Sequence, residues 1–130
     1  MKTILAVMLF GLPMALPMVA RADYIDVLEI KLNDACKFDK ELQIVRDLVS
    51  QWGVKHGYSV ELWIPIEAPS PNLGYIYWVG RAKDMTALGS VVDTFAAEAG
   101  GDPNSVAGKL HVRLAECEMI MSRSGYVTRK

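Results

Sequence analysis

The chain reads as a single α+β domain in the order strand-helix-strand-strand-helix-strand, with a four-stranded antiparallel sheet carrying both long helices on one face. Three observations predict this. Phe38–Trp52 and Met85–Ala99 place apolar residues at helical spacing. Tyr24–Leu32, Tyr58–Ile66, Leu73–Arg81 and Glu116–Ser122 are short, rich in branched, aromatic or sulfur-bearing residues, and bounded by turn signals. No low-complexity run or Pro/Gly-rich linker divides the chain.

Each element has its own signature. Tyr24–Leu32 alternates loosely and ends at Asn33-Asp34. The first helix carries Phe38, Leu42, Val45, Leu48, Val49 and Trp52 on one stripe, with Asp39 and Glu41 suited to its N-terminus and Gly53 to its end. In the second strand Tyr58, Val60, Leu62, Ile64 and Ile66 point one way, while Ser59, Glu61, Trp63 and Pro65 point the other. Residues 67–72 form a turn or hairpin loop, followed by the aromatic third strand. Asp84 caps a second helix with Met85, Leu88, Val92, Phe95 and Ala99 on one face and Gly100-Gly101 at its end. Asp102-Pro103 opens a short helix to about Arg113. Glu116–Ser122 is the last strand, and Arg123–Lys130 a polar tail.

Residues 1–22 have the build of an export signal. Lys2 supplies the positive start, Thr3–Leu12 the apolar core, and Ala20-Arg21-Ala22 the small-x-small cleavage site. Pro13 and Pro17 break the apolar helix and no basic cluster follows, so cleavage after Ala22 is expected, with membrane attachment only if the segment stays uncut. Removing 22 of the 130 residues leaves 108, enough for one core, in a single α+β domain over 23–130. Lys2 and Arg21 leave with the signal, so 12 of the 14 basic side chains remain against 15 acidic ones. That balance excludes a general electrostatic grip on nucleic acid or an anionic membrane. The expected address is the periplasm or the exterior, where the two cysteines, Cys36 and Cys117, are expected to form one disulfide. Closing so long a loop would constrain the unfolded chain by roughly 4–5 kcal/mol; the alternative is two buried thiols that never meet.

The strand Gly74-Tyr-Ile-Tyr-Trp-Val-Gly-Arg81 running into the Asp84 helix, the late Asp102-Pro103 helix and the element order resemble the dimeric α/β-barrel superfamily of ferredoxin-like βαββαβ domains. The likeness spans nearly all of 23–130. It implies that the open sheet face pairs with a second copy to give a homodimer. The superfamily includes cofactor-free monooxygenases, haem-degrading and haem-peroxidase-like enzymes, and small isomerases. None of their diagnostic motifs is present, so no family site carries over.

Candidate site residues follow from strand parity. If Val60, Leu62 and Ile64 face the helices, Glu61 and Trp63 face the open side. Tyr75, Tyr77 and Arg81 form the more polar set of the third strand, and Glu29 joins them if Leu28 and Ile30 pack beneath the helices. Two readings remain open. In one, Trp63, Tyr75 and Tyr77 hold a small ligand, Glu29 or Glu61 takes a proton and Arg81 stabilises negative charge. In the other, the aromatics pack at a dimer interface and Glu61 pairs with Arg81.

Other chemistries find little support. His56 lies in a turn and His111 near the short helix, neither at metal-ligand spacing. Cys117, Met119 and Met121 would align three sulfurs on one strand face, a soft Cu(I) set, unless Cys117 is bridged or the methionines are core filler. No metal or cofactor is expected, and neither a nucleophile elbow nor a phosphate-binding glycine loop occurs. The leading expectation is an exported domain that binds a small ligand, aromatic molecules included, or a partner. The alternatives are a cofactor-independent oxygenase or isomerase and a purely structural dimerisation domain.

Overall fold

The computed structural model describes residues 23–67 and 74–128. The proposed signal and all but Glu67 of the expected hairpin loop lie outside them. The elements are β1 (Tyr24–Leu32), α1 (Phe38–Gln51), β2 (Ser59–Trp63), β3 (Tyr75–Ala82), α2 (Met85–Gly101), α3 (Val106–Cys117) and β4 (Glu118–Val127), with a 3₁₀ turn at Gly53–His56. The strands form one antiparallel sheet in the order β2-β3-β1-β4, the ferredoxin-like arrangement.

The helices cover one sheet face. Leu48 of α1 and Trp52 just after it, Leu88 and Val91 of α2, and Leu110 of α3 are buried in one cluster with Trp78 and Ala82 of β3. Cross-strand pairing places Leu28 and Leu62 on either side of Trp78, so alternate residues of β1, β2 and β3 share the helix side. Capping fixes the starts of α2 and α3. The Asp84 carboxylate accepts the Ala87 amide at 2.8 Å, and the Ser105 hydroxyl accepts the Gly108 amide at 2.9 Å.

Several boundaries differ from expectation. The helix expected from Asp102-Pro103 begins after Ser105, because the Asp102 carboxylate closes a local turn onto the Asn104 amide. It runs on to Cys117, four residues past the expected end. β2 stops at Trp63, opposite Tyr77, so Ile64 and Ile66 have no ladder to join and are exposed. α2 is rotated from its expected phase: Leu88 and Val91 are buried and Phe95 and Ala99 pack against them, whereas Met85 and Val92 are exposed.

The largest correction concerns the C-terminus. Arg123–Val127, expected as the start of a polar tail from about residue 123, continues β4 and pairs with Tyr24–Leu28 of β1. The register shifts between Glu29↔Ser122 and Ile30↔Ile120, leaving Met121 as the extra residue of a β-bulge. Before the bulge, Glu118 and Ile120 oppose Leu32 and Ile30; after it, Arg123 opposes Leu28. All three therefore face the helix side, which strict alternation would forbid.

Cys36, just before α1, and Cys117, the last residue of α3, stand at disulfide distance with Cα atoms 5.1 Å apart. Cys117 is thus a buried helical residue, and Met119 and Met121 are exposed, so the aligned row of three sulfurs does not form.

Candidate functional site

The six residues singled out by strand parity share the sheet face turned away from the helices. Glu29 and Trp63 both oppose Tyr77, Glu61 opposes Val79, and Tyr75 and Arg81 lie two positions to either side of those on β3. Their polar groups are engaged mostly with one another. The Trp63 indole donates to Glu61 Oε2 at 3.0 Å, and the Arg81 Nε lies 4.0 Å from Glu61 Oε1. Glu29 accepts from the Ser122 hydroxyl at 3.0 Å. Trp63 is half exposed, while Tyr75 and Tyr77 are partly covered by their strand neighbours.

A cavity of about 810 Å³ lies on the opposite side, between the sheet and the pair α2–α3. None of those six residues lines it. Trp52, Trp78, Val91, Phe95 and Leu114 make its apolar walls. Asp26, Tyr58, Glu118 and Arg123 supply its polar groups, and His111 of α3 contributes to its lining. The volume and the mix of aromatic walls with few polar groups match a small-molecule site.

The polar groups are held by mutual contact. Asp26, near the start of β1, is 3% exposed. Arg123 meets it with two parallel hydrogen bonds, Nε to Oδ1 at 2.7 Å and Nη2 to Oδ2 at 2.9 Å. That carboxylate in turn holds the Arg123 guanidinium more firmly protonated. The Trp78 indole donates to the Tyr58 hydroxyl at 3.1 Å. Burial, reinforced by the Asp26 charge, pushes the Tyr58 phenol up to about 12, so it stays neutral. Gly80 makes room for that ring, because a Cβ there would overlap the Tyr58 hydroxyl.

Glu118 joins this group to a second buried carboxyl, Glu41 of α1, which is fully buried. Burial and the neighbouring Glu41 charge push Glu118 up to about 8, and Glu41 is also raised, chiefly by burial. Among the described residues, the Glu118 carboxyl alone stands as a partner for the Glu41 oxygens, and it can donate only while protonated.

His56 stacks on Trp52 with ring centroids 4.1 Å apart, and the Trp52 indole donates to Glu98 Oε2 at 2.7 Å. His111 meets Phe95 edge-on at the cavity.

No protein-family model and no curated protein matches the chain. Among solved structures, the Arabidopsis thaliana protein At3g17210 superposes with a TM-score of 0.53 at 6% identity, over 82% of this chain and 94% of that one. A protein from Bacteroides fragilis NCTC 9343, described as dimeric, of unknown function and ferredoxin-like, gives a TM-score of 0.43 at 12% identity, over 83% and 96%. The first likeness agrees with the ferredoxin-like fold read from the strand order.

Proposed function

We propose that this chain is an exported small-ligand-binding domain of dimeric α/β-barrel type, whose ligand occupies the cavity between the sheet and α2–α3. The cavity carries the proposal: about 810 Å³, walled by Trp52, Trp78 and Phe95, with the Asp26–Arg123 pair and Tyr58 among its polar groups. An apolar, preferably aromatic, molecule bearing one or two hydrogen-bonding groups fits that lining. Glu29, Glu61, Trp63, Tyr75, Tyr77 and Arg81 then belong to the surface between two copies, where partly covered aromatics and a self-contained Glu61–Arg81 contact suit an interface better than a solvated pocket. Cleavage after Ala22 and a Cys36–Cys117 disulfide complete the reading, since a cysteine pair at this distance suits an oxidising compartment.

The test uses intrinsic tryptophan fluorescence, in a Trp63→Phe background that leaves Trp52 and Trp78 at the cavity, during titration with anilinonaphthalene sulfonate, an aromatic probe with a single acid group. Saturable one-to-one quenching that is lost in Ala96→Trp, which fills the cavity from exposed α2, supports the proposal. Quenching unaffected by that substitution overturns it.

A second reading is favoured by one observation: the Glu118 carboxyl, pushed up to about 8 by burial and by the neighbouring Glu41, lines the cavity. A group so poised can exchange protons with a bound substrate near neutral pH, the role that strand parity assigns to Glu29 or Glu61. If the domain is an enzyme without a cofactor, Glu118→Gln abolishes turnover while leaving probe binding intact.

A further inference from the structure

Behind the cavity, at the junction of α1, α3 and β4, lies a cluster that ligand binding does not use. The Cys36 and Cys117 sulfurs and a Glu41 carboxylate oxygen all lie within 4.8 Å of one another, and all three residues are buried. A disulfide explains the two sulfurs. It leaves unexplained why a carboxyl group is fully buried beside them with, among the described residues, no cation and no partner except the Glu118 carboxyl. An apolar residue at position 41 would pack there at less cost.

We propose that Cys36, Cys117 and Glu41 form a binding site for a thiophilic divalent cation, Zn²⁺ by preference, when the cysteines are reduced, so that the metal-bound and disulfide forms are alternative states of one site. Two thiolates and one carboxylate are a donor set that suits zinc, with sulfur at about 2.3 Å and oxygen at about 2.0–2.2 Å from the metal. Tetrahedral ligands at those distances stand about 3.3–3.8 Å apart, inside the spread of the cluster. Glu118 contacts the Glu41 carboxyl, as an outer-shell partner orients a ligand, and a water would take the fourth position.

The chemistry balances. A dithiol reductant supplies two electrons and two protons and becomes a disulfide itself; the Cys36–Cys117 bond breaks and two thiols form. The cation then displaces both thiol protons, and its charge answers the thiolates and Glu41 together. Reduction also frees the sulfurs to separate to ligand spacing. The metal would take over the tie between the start of α1 and the end of α3 that the disulfide otherwise provides.

The experiment titrates the chain, reduced by a dithiol and then desalted without oxygen, with Co²⁺ as a coloured stand-in for zinc. The expected result is one Co²⁺ per chain with a thiolate charge-transfer band, bleached by Zn²⁺ and absent from the oxidised chain. Glu41→Gln, which removes a buried charge and so should fold, is expected to weaken binding by more than about tenfold. No band in the folded reduced chain, equal affinity in Glu41→Gln, or the same binding by the oxidised chain would each overturn the proposal. If the reduced chain unfolds, circular dichroism decides: refolding on Co²⁺ supports the site, and continued disorder refutes it.

Discussion

Arg123 grips Asp26 through the Nε–Nη2 edge of its guanidinium, reaching diagonally across the β1–β4 pair so that a buried carboxylate in the first half of β1 is neutralised by a residue near the end of the domain. The cation half remains partly open to the cavity side while the carboxylate is almost fully enclosed. Removing Arg123 therefore strands a buried charge. Arg123→Ala is expected to cost about 3 kcal/mol in urea unfolding, while the double variant Asp26→Asn with Arg123→Met loses much less. Equal losses in the two would mean that the pair is not coupled.

Gly80 and Tyr58 form a second dependent pair. A methyl group at position 80 runs into the Tyr58 hydroxyl, and that hydroxyl cannot swing away without abandoning the Trp78 indole. Gly80→Ala should destabilise by about 1–3 kcal/mol, as overpacking does. Adding Tyr58→Phe removes the nearest colliding atom, frees the ring from the Trp78 indole and lets its remaining carbons shift, so the double variant should be more stable than the sum of the two single losses predicts. Thermal melts of the four proteins test this directly.

The carboxyl pair sets a pH dependence opposite to the usual acid lability. Glu118 sits at about 8 in the folded chain against an ordinary 4.5, so the folded state keeps a proton that the unfolded state releases. Its contribution is fully present below about pH 4.5 and is lost as pH rises towards 8. The slope is at most about 1.4 kcal/mol per pH unit for one proton. Urea midpoints measured between pH 5 and 8 should fall with rising pH, and Glu118→Gln should flatten the decline. The Asp47 carboxyl, held below its usual range by Arg113, acts in the other direction and only near or below its ordinary 3.8.

On the open face, Tyr77 occupies the centre of the aromatic patch between Glu29 and Trp63. Tyr77→Glu should convert a dimer to a monomer in light scattering while circular dichroism stays unchanged. A wild-type chain that is already monomeric at high concentration would remove the paired-sheet proposal.

Much of the fold was legible because its periodicity is local. β1 has the expected bounds, α1 ends within one residue of them, and Asp84 caps α2 as its position implies. The six open-face residues also share one face, since β2 and β3 alternate without interruption. The helix-side cavity was not legible, for two physical reasons. In β1 the two faces are almost equally apolar, Tyr24, Leu28 and Ile30 against Ile25 and Val27, so Asp26 did not stand out as a charge on the core side. Its partner lay in a stretch whose Arg, Ser and Thr read as a solvated tail, beyond a bulge that no period-two pattern reveals. The missed signal was the lone carboxylate itself: once Leu28 and Ile30 are turned inward, Asp26 must be inward too, and it demands a cation.

The extra residue at Met121 has a consequence of its own. It works as a half-step in the weave of β4, letting one thread present Glu118, Ile120 and Arg123 to the same side. Were Met121 to take a rung of its own, everything beyond it would turn over: Tyr126 would swing inward, Arg123 outward, and the carboxylate on β1 would lose its guanidinium, whereas deleting Met121 would even the weave and leave Arg123 on its present side.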